Sequence, residues 1–189
     1  MDMRTLIKQL KKIGVVFANG LSNEEIEAIE TRYEICFPKS LIEFYKEALP
    51  INDSSQGAMN FYNWRDTSAE NIARIKKMLD WPWEGVFFDI DHGFWVDGWE
   101  EPKTLEEKKR VFMEIMKIEP KPIPIYGHRF ILYQRGVDDP PVLSMYQTDI
   151  IIYGYTLIEY MEYEFEIRKE HEWRSLNNLG KWKDIMDTK

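Results

Sequence analysis

The residues best suited to chemistry lie at 86–91, which read Val-Phe-Phe-Asp-Ile-Asp. The apolar run 85–90 is bounded by turn residues, so the pattern predicts a short buried strand that ends in an Asp-x-Asp pair. Paired carboxylates can act as a nucleophile and as an acid or base. The segment therefore raises the hypothesis of an enzyme that acts through Asp89 and Asp91.

This pair resembles the first motif of the haloacid-dehalogenase phosphatases, in which one carboxylate attacks phosphorus and the other transfers a proton. The resemblance implies a phosphatase-like, metal-dependent hydrolase, but three features argue against that chemistry. Gly93 stands where that family has Thr or Val. The family motif normally opens the chain, whereas a long helical region precedes it here, and the sequence shows no glycine-rich phosphate loop. We therefore predict that Asp89 and Asp91 are not catalytic and that they cap the end of a strand.

Potential metal ligands are scattered along the chain, at Asp89, Asp91, His92, His128, Asp149 and His171. Their spacing fits none of the HExxH, CxxC or EF-hand patterns. The single cysteine, Cys36, lies between Ile35 and Phe37 and is interpreted as a small buried hydrophobe. The sequence thus predicts no metal site, no cofactor and no nucleophilic cysteine.

A third feature is the segment 94–101, in which two tryptophans alternate with acids. Tryptophan is bulky and often anchors a hydrophobic core, and that interpretation stays open. Gly98, Pro102 and the acids nevertheless favour a position at the surface, where aromatic residues beside charges are typical of binding hot spots. The predicted partner-binding residues are Asp91, Trp95, Asp97, Trp99, Glu100 and Glu101.

The elements that must position these residues are marked by helix-start patterns. Four segments place a Ser or Thr three residues before a Glu, as in a capping box: Ser22…Glu25, Thr67…Glu70, Thr104…Glu107 and Thr156…Glu159. Another helix is predicted to follow Phe37-Pro38 and to end at Pro50. Apolar runs predict strands at 123–126, 130–133, 142–146 and 150–153. Because helices come first and strands cluster later, we expect an α+β fold with a mainly antiparallel twisted sheet flanked by helices.

The length of 189 residues, with 44% hydrophobic and 14% aromatic residues, fits one domain over 1–189. We predict a core of about 21–165, an N-terminal helix over 3–12, and a charged tail over 166–189 that continues or frays the last helix. Polar residues inside strand segments usually satisfy buried hydrogen bonds, so a second set is expected to hold the fold together. These are Tyr126, His128, Arg129, Gln147, Thr148 and Asp149.

The formal net charge is -8, which disfavours binding to nucleic acid or to a membrane surface, because an acidic surface repels phosphates. A basic protein partner would be attracted. The apolar stretch 13–18 is too short for a signal-peptide core, and no segment approaches the ~20 apolar residues that span a bilayer. One cysteine allows no intramolecular disulfide, which fits a reducing compartment. We therefore expect a cytoplasmic protein, of undetermined oligomeric state.

Several segments, taken in order, resemble the SUKH superfamily, which is also named after a yeast regulator of cell-wall assembly. Residues 21–26, 35–38 and 41–45 are similar to its acid-rich capped helix, its Leu-Pro-like step and its Phe-Tyr helix. The second half looks like the Bacillus-type members, with Trp81-Pro82, Phe88-Asp89, Phe94-Trp95, Trp99, 124–130 and 146–154. The resemblance extends over 21–165, and the ordered set is more specific than the first motif alone.

This resemblance implies an α+β sheet with packed helices and no known catalysis. Many bacterial members of the superfamily resemble immunity proteins, which bind and neutralise a polymorphic toxin that is often a nuclease. The resemblance thus implies a non-enzymatic binding protein with a basic toxin domain as its partner. A regulatory interaction module without a toxin partner is the alternative, and the superfamily supplies no catalytic residue to transfer.

Overall fold

The structure is a computed structural model that describes residues 1–51, 60–168, 174, 176 and 179–188. Its helices are α1 (Met3–Lys12), α2 (Asn23–Tyr33), α3 (Lys39–Glu47), α4 (Ala69–Asp91), α5 (Leu105–Met116), α6 (Leu157–Glu164) and α7 (Trp182–Asp187). Its strands are β1 (Val16–Asn19), β2 (Ala48–Ile51), β3 (Lys121–Tyr126), β4 (Arg129–Tyr133), β5 (Val142–Tyr146) and β6 (Asp149–Gly154). The described elements form a single α+β domain with two antiparallel sheets flanked by helices, which confirms the predicted fold class.

Three of the four predicted helix starts are confirmed. At the start of α2, the Ser22 hydroxyl accepts a hydrogen bond from the Glu25 N–H, and the Glu25 carboxylate accepts one from the Ser22 N–H. Thr104 and Thr156 cap α5 and α6 in the same way, each accepting from the backbone three residues later. These helices begin where a local side-chain acceptor satisfies an N–H that has no partner within the helix.

The start of α4 differs from its prediction by one residue. The cap is Ser68, whose hydroxyl accepts from the Asn71 N–H at 3.3 Å, and not Thr67. The reason lies in the preceding turn, where Asp66 accepts from the Ser68 N–H at 2.8 Å. The buried Asn71 amide also donates to the carbonyls of Asn63 and Asp66, which fixes the chain as it enters the helix.

The strand predicted at 85–90 is wrong, because these residues form the last turns of α4. The buried positions of the second half of this helix are Pro82, Val86 and Ile90, which recur every four residues along one face. Phe88 falls on the opposite side and is exposed. An apolar run of this length is ambiguous between strand and helix when only part of it is buried.

Pro50 lies in a strand, whereas the sequence predicted that it ends a helix. Helix α3 ends at Glu47, and β2 begins at once and pairs antiparallel with β1. In this register Pro50 lies opposite Phe17, in a sheet of two strands. A proline is tolerated there because one side of each strand needs no donor for its neighbour.

The larger sheet has the strand order β3-β4-β5-β6, and all of its pairs are antiparallel. The four strand predictions between 123 and 153 are therefore confirmed, with small differences at the ends. Pro122 and Pro124 lie in β3, which is an edge strand of this sheet. They pair with Leu132 and Phe130 of β4.

Alternating residues of this sheet contribute to two hydrophobic clusters. Ile123, Ile131 and Val142 pack with residues of α1, α2, α3 and α6, whereas Phe130, Leu132, Leu143 and Met145 pack with α4, α5 and α7. Residues outside 21–165 are also part of these clusters, including Leu6 and Leu10 of α1 and Trp182 of α7. Both terminal regions therefore contribute buried side chains.

The prediction that the tail continues α6 is wrong for the described part of the chain. Helix α6 ends at Glu164, and α7 is a separate helix. The fully buried Trp182 begins α7, and its indole N–H donates to the Pro120 carbonyl at 2.8 Å. Residues 169–173, 175, 177–178 and 189 lie outside the described part. Among the described helices, none has the length and apolar character needed to cross a membrane.

Candidate protein-binding surface

The six residues predicted to bind a partner begin at the last residue of α4 and continue through the loop toward α5. Both tryptophans of this set are partly buried. The Trp99 indole donates to Asp184 of α7 at 2.9 Å, which lowers the pKa of that carboxyl, and its ring lies 6.2 Å from Phe112. The Trp95 indole donates to the Trp99 carbonyl at 3.3 Å. These contacts anchor the loop to α5 and α7, so the tryptophans contribute to packing.

Two of the four predicted acids form ion pairs with lysines of α5. Asp91 accepts from Lys109 at 2.6 Å, and Glu101 pairs with Lys108. The other two acids, Asp97 and Glu100, are exposed. The predicted set therefore combines a packed aromatic part with a charged rim, and an outside partner can approach the rim.

Exposed aromatic side chains lie on a neighbouring surface, and not at Trp95 and Trp99 where the sequence predicted them. Phe88 of α4 is 51% exposed and Tyr146 of β5 is 56% exposed. The rings of Tyr146 and Trp81 lie 6.0 Å apart, and the Trp81 indole donates to the Met145 carbonyl at 3.2 Å. We define the α4 surface as Trp81, Glu84, Phe88 and Asp91 of α4 together with Tyr146 of β5.

The α4 residues of this surface lie on one side of the helix because of their spacing. Positions 81, 84, 88 and 91 are separated by three, four and three residues, so they share one side of the helix. Sequence reasoning missed Phe88 because it was assigned to a buried strand. The helical spacing of Phe88 from Glu84 and Asp91 could have indicated that Phe88 shares one side of a helix with these two acids.

Two contacts hold α4 against the turn between β5 and β6. A side chain at Gly85 would meet the Gln147 Cα at 2.9 Å, so this close approach of two backbones requires glycine. One turn later, the Asp89 carboxylate accepts from the N–H and the hydroxyl of Thr148, at 2.9 and 2.7 Å. This attachment brings Tyr146 next to α4.

The electrostatics at the end of α4 are unusual for a helix. The last turn carries Asp89 and Asp91 and contains no Lys or Arg. Carboxylates at a helix C-terminus are unfavourable, because they lie at the negative end of the helix dipole. Thr148 and Lys109 offset this in part. The exposed carboxylates on the same side of α4 as Phe88 are those of Glu84 and Asp91, and Asp91 pairs with Lys109.

The positions of Asp89 and Asp91 do not match the hydrolase hypothesis. That hypothesis needs both carboxylates at the end of a strand, whereas both lie in α4. Two residues apart on a helix, their side chains point roughly 200° away from each other. Asp89 is bound to Thr148 and Asp91 to Lys109, so they make separate contacts.

Arg129 is the centre of the polar network predicted to hold the fold together. Its guanidinium donates to Glu164 of α6 at 2.9 Å and to the Ser144 hydroxyl at 2.7 Å. It also contacts the His128 imidazole and lies 3.8 Å from the centre of the Tyr153 ring. Burial, and secondarily the charge of Arg129, lower the pKa of His128. The buried pair of Arg129 and Glu164 thus ties β4 to α6.

The remaining residues of that set have different surroundings. The Tyr126 ring lies 4.8 Å from Phe61 and 5.4 Å from Phe165. Gln147 and Thr148 form the turn that contacts α4. Asp149 is exposed at the start of β6, where it lies opposite Tyr146, and not at a buried position. Thr148 is therefore the residue by which this turn hydrogen-bonds to α4.

The interpretation of Cys36 as a buried residue is wrong, because Cys36 is exposed. Phe37 is buried instead, and its N–H donates to the Glu30 carboxylate at 2.7 Å. Among the described residues, no three His, Cys, Asp or Glu side chains are placed to hold a metal ion together. The candidate ligand His171 lies outside the described residues.

Comparison of the chain with protein-family models, curated proteins and solved structures finds no match. The resemblance to the SUKH superfamily therefore stays an expectation that rests on residues 21–165. The function is inferred from the surfaces described above.

Proposed function

We propose that this protein is a non-enzymatic binding protein of the SUKH immunity type, which neutralises a polymorphic bacterial toxin in the cytoplasm by direct contact. The observation that carries the proposal is the α4 surface, where exposed Phe88 and Tyr146 lie beside carboxylates at a helix end. Aromatic anchors surrounded by charge are typical of residues that dominate binding energy. The resemblance to immunity proteins supports the choice of a toxin as partner.

The aromatic residues supply the apolar part of the interaction. Phe88 is 51% exposed and Tyr146 is 56% exposed, so each has apolar area left to bury. Covering that area would contribute on the order of 1 kcal/mol for each ring, about half of what a fully buried side chain gives. Trp81, which contacts Tyr146, supports the ring from within.

The charges indicate a basic partner. A nuclease toxin needs a positive groove for its substrate, and an acidic protein can cover that groove. Lys or Arg of the toxin would pair with the exposed carboxylates of the α4 surface, Glu84 and Asp91, the second of which already has Lys109 as a partner. The exposed Asp97 and Glu100 follow α4 in sequence and extend the acidic surface. Complementary charge also accelerates the encounter.

A protection experiment tests this proposal. Each reading frame next to this gene that could encode a toxin domain is expressed in bacterial cells with and without the protein. We expect the wild-type protein to restore growth and the purified pair to bind in calorimetry. Absence of both effects would refute the toxin partner, whereas binding without protection would favour the regulatory module.

A double variant and a matched control test whether the α4 surface is the binding face. Phe88→Ala with Tyr146→Ala is expected to weaken binding by at least tenfold, because both anchors are removed. Ile118→Ala, at a residue that is 88% exposed outside the α4 surface, is the control and should bind like the wild type. Circular dichroism shows whether each variant is folded. Full protection by the folded double variant would place the binding face elsewhere.

A further inference from the structure

A cavity of about 480 Å³ lies between α4, the C-terminal half of α5 and the start of β3. Its apolar lining consists of Trp83, Met113 and Met116. The Trp83 ring is supported from behind by Trp182 at 5.1 Å and Phe112 at 6.5 Å. Methionine side chains adapt their shape to what they contact, so this floor can fit a flat or an extended apolar group.

The rim of the cavity is basic. It carries Arg110, Lys117 and Lys121, and its one acid, Glu114, accepts from Arg110 at 2.9 Å. The cations therefore outnumber the acid in a chain whose formal net charge is -8. This local excess is opposite in sign to the chain as a whole.

The structure fixes the position of the Lys121 ammonium. It donates to the Lys117 carbonyl at 3.0 Å and to the Met116 carbonyl at 3.4 Å, and it lies 5.7 Å from the centre of the Trp83 ring. An ammonium group has three N–H donors, so these two bonds leave one for another acceptor. Partial burial lowers the pKa of Lys121 more than the charge of Glu119 raises it, and an anion bound beside Lys121 would act in the same direction as Glu119.

We propose that this cavity binds a small amphipathic anion, whose apolar body lies on Trp83 and whose carboxylate or sulfonate accepts from Lys121 and Lys117. Pockets of roughly 300–1,000 Å³ with apolar walls and a few polar groups are the size of small-molecule sites. The apolar floor supplies affinity, and the basic rim selects the charge. This site is separate from the α4 surface and does not depend on the proposed function.

Naphthalene-2-sulfonate and its uncharged counterpart naphthalene-2-sulfonamide are suitable probes for the full-length protein. Their binding is followed by nitrogen-15 NMR of the indole N–H groups and by calorimetry. We expect the sulfonate to bind at one site, to shift the Trp83 signal, and to bind at least tenfold more tightly than the sulfonamide. Equal affinities, no binding of either probe, or shifts confined to other tryptophans would overturn the proposal.

Variants distinguish the effect of the Lys121 charge on binding from an effect on folding. Lys121→Met keeps the apolar stem and removes the ammonium, so sulfonate affinity should fall at least tenfold. Lys121 also binds the carbonyls of Met116 and Lys117 at the end of α5, so its loss could disturb the fold. A second variant, Met113→Glu, places a negative charge at an exposed lining position and should have the same effect. Lys103→Met, at an exposed lysine outside the cavity, is the control. Unchanged affinity in folded Met113→Glu would contradict the assignment.

Discussion

The Asp89 carboxylate accepts two hydrogen bonds from Thr148, one from the backbone N–H at 2.9 Å and one from the hydroxyl at 2.7 Å. These bonds join the last turn of α4 to the turn between β5 and β6. Asp89 thereby connects a helix to a hairpin that is 59 residues away in sequence. Asp89, one of the two acids that suggested a phosphatase, thus has a structural role.

Removing the Thr148 hydroxyl should destabilise the fold. In Thr148→Val the shape is nearly kept, but Asp89 loses one of its two donors, which costs about 1.5–3 kcal/mol for a bond to a charged group. The free energy of unfolding in urea measures this. Thr148→Ser, which retains the hydroxyl, should stay close to the wild type. If Thr148→Val were equally stable, the hydroxyl bond would contribute nothing.

Removing one partner of the ion pair between Arg129 and Glu164 should lower the free energy of unfolding. The two side chains are 9% and 12% exposed, so Arg129→Met leaves the Glu164 carboxylate without its donor, and Glu164→Gln leaves the Arg129 charge without its counter-charge. We expect each to lose about 3 kcal/mol of stability. The double variant should lose less than the two losses combined, which a double-mutant cycle in urea measures. Additive losses would show that the two charges are not coupled.

The stability should depend on pH through Glu25. Hydrogen bonds from Arg65, and secondarily from the Ser22 backbone, lower the pKa of Glu25 from 4.5 to about 2 in the folded protein. The folded state therefore binds fewer protons than the unfolded state between these values. The stabilisation is complete above pH 4.5 and is lost as the pH falls toward 2.

Urea unfolding at several pH values between 6 and 2 tests this effect. Glu25→Gln should lower stability at neutral pH and reduce its decline in acid. Glu27→Gln, at an exposed position of the same helix, should behave like the wild type. An acid decline of the same size in Glu25→Gln would assign the effect to other carboxyls.

Charge reversal in the loop after α4 should weaken toxin neutralisation, if the proposed function holds. In Glu100→Lys with Glu101→Lys the rim changes sign, and the new lysine at 101 meets Lys108 in place of an ion pair. Stopped-flow association should be slower and less sensitive to salt, since screening limits surface charge to a reach of ~8 Å at physiological ionic strength. Glu27→Lys with Glu34→Lys, on α2 and at its end, is the control with the same change in net charge. Full protection by the folded loop variant would exclude the loop from the binding face.

The sequence predicted those elements whose signals are local. Ser22, Thr104 and Thr156 cap helices because the acceptor and the N–H lie within one turn. The strands of the larger sheet were recognisable as buried apolar runs. The pairing of β1 with β2 joins residues more than 25 positions apart, and no local pattern at Pro50 indicated it.

The candidate surface was only partly predictable for a similar reason. The composition of residues 94–101 predicted Trp95 and Trp99 as binding residues, but their contacts with α5 and α7 depend on the fold. Tyr146 joins the surface through a contact with Trp81, which is distant in sequence. Phe88 is apolar and yet exposed, so a rule that places apolar residues inside assigns it to the core.

The prolines of β3 have a consequence for self-association. Pro122 and Pro124 are two residues apart, so their nitrogens face the same side of the strand. A proline fits a paired strand only where its nitrogen faces away from the neighbour, so both nitrogens face the outer side of β3, where Phe61 forms a bridge to Tyr126. A second chain that tried to extend the sheet there would find two donor positions without hydrogen. This edge is thus protected against the strand-to-strand stacking that leads to aggregates.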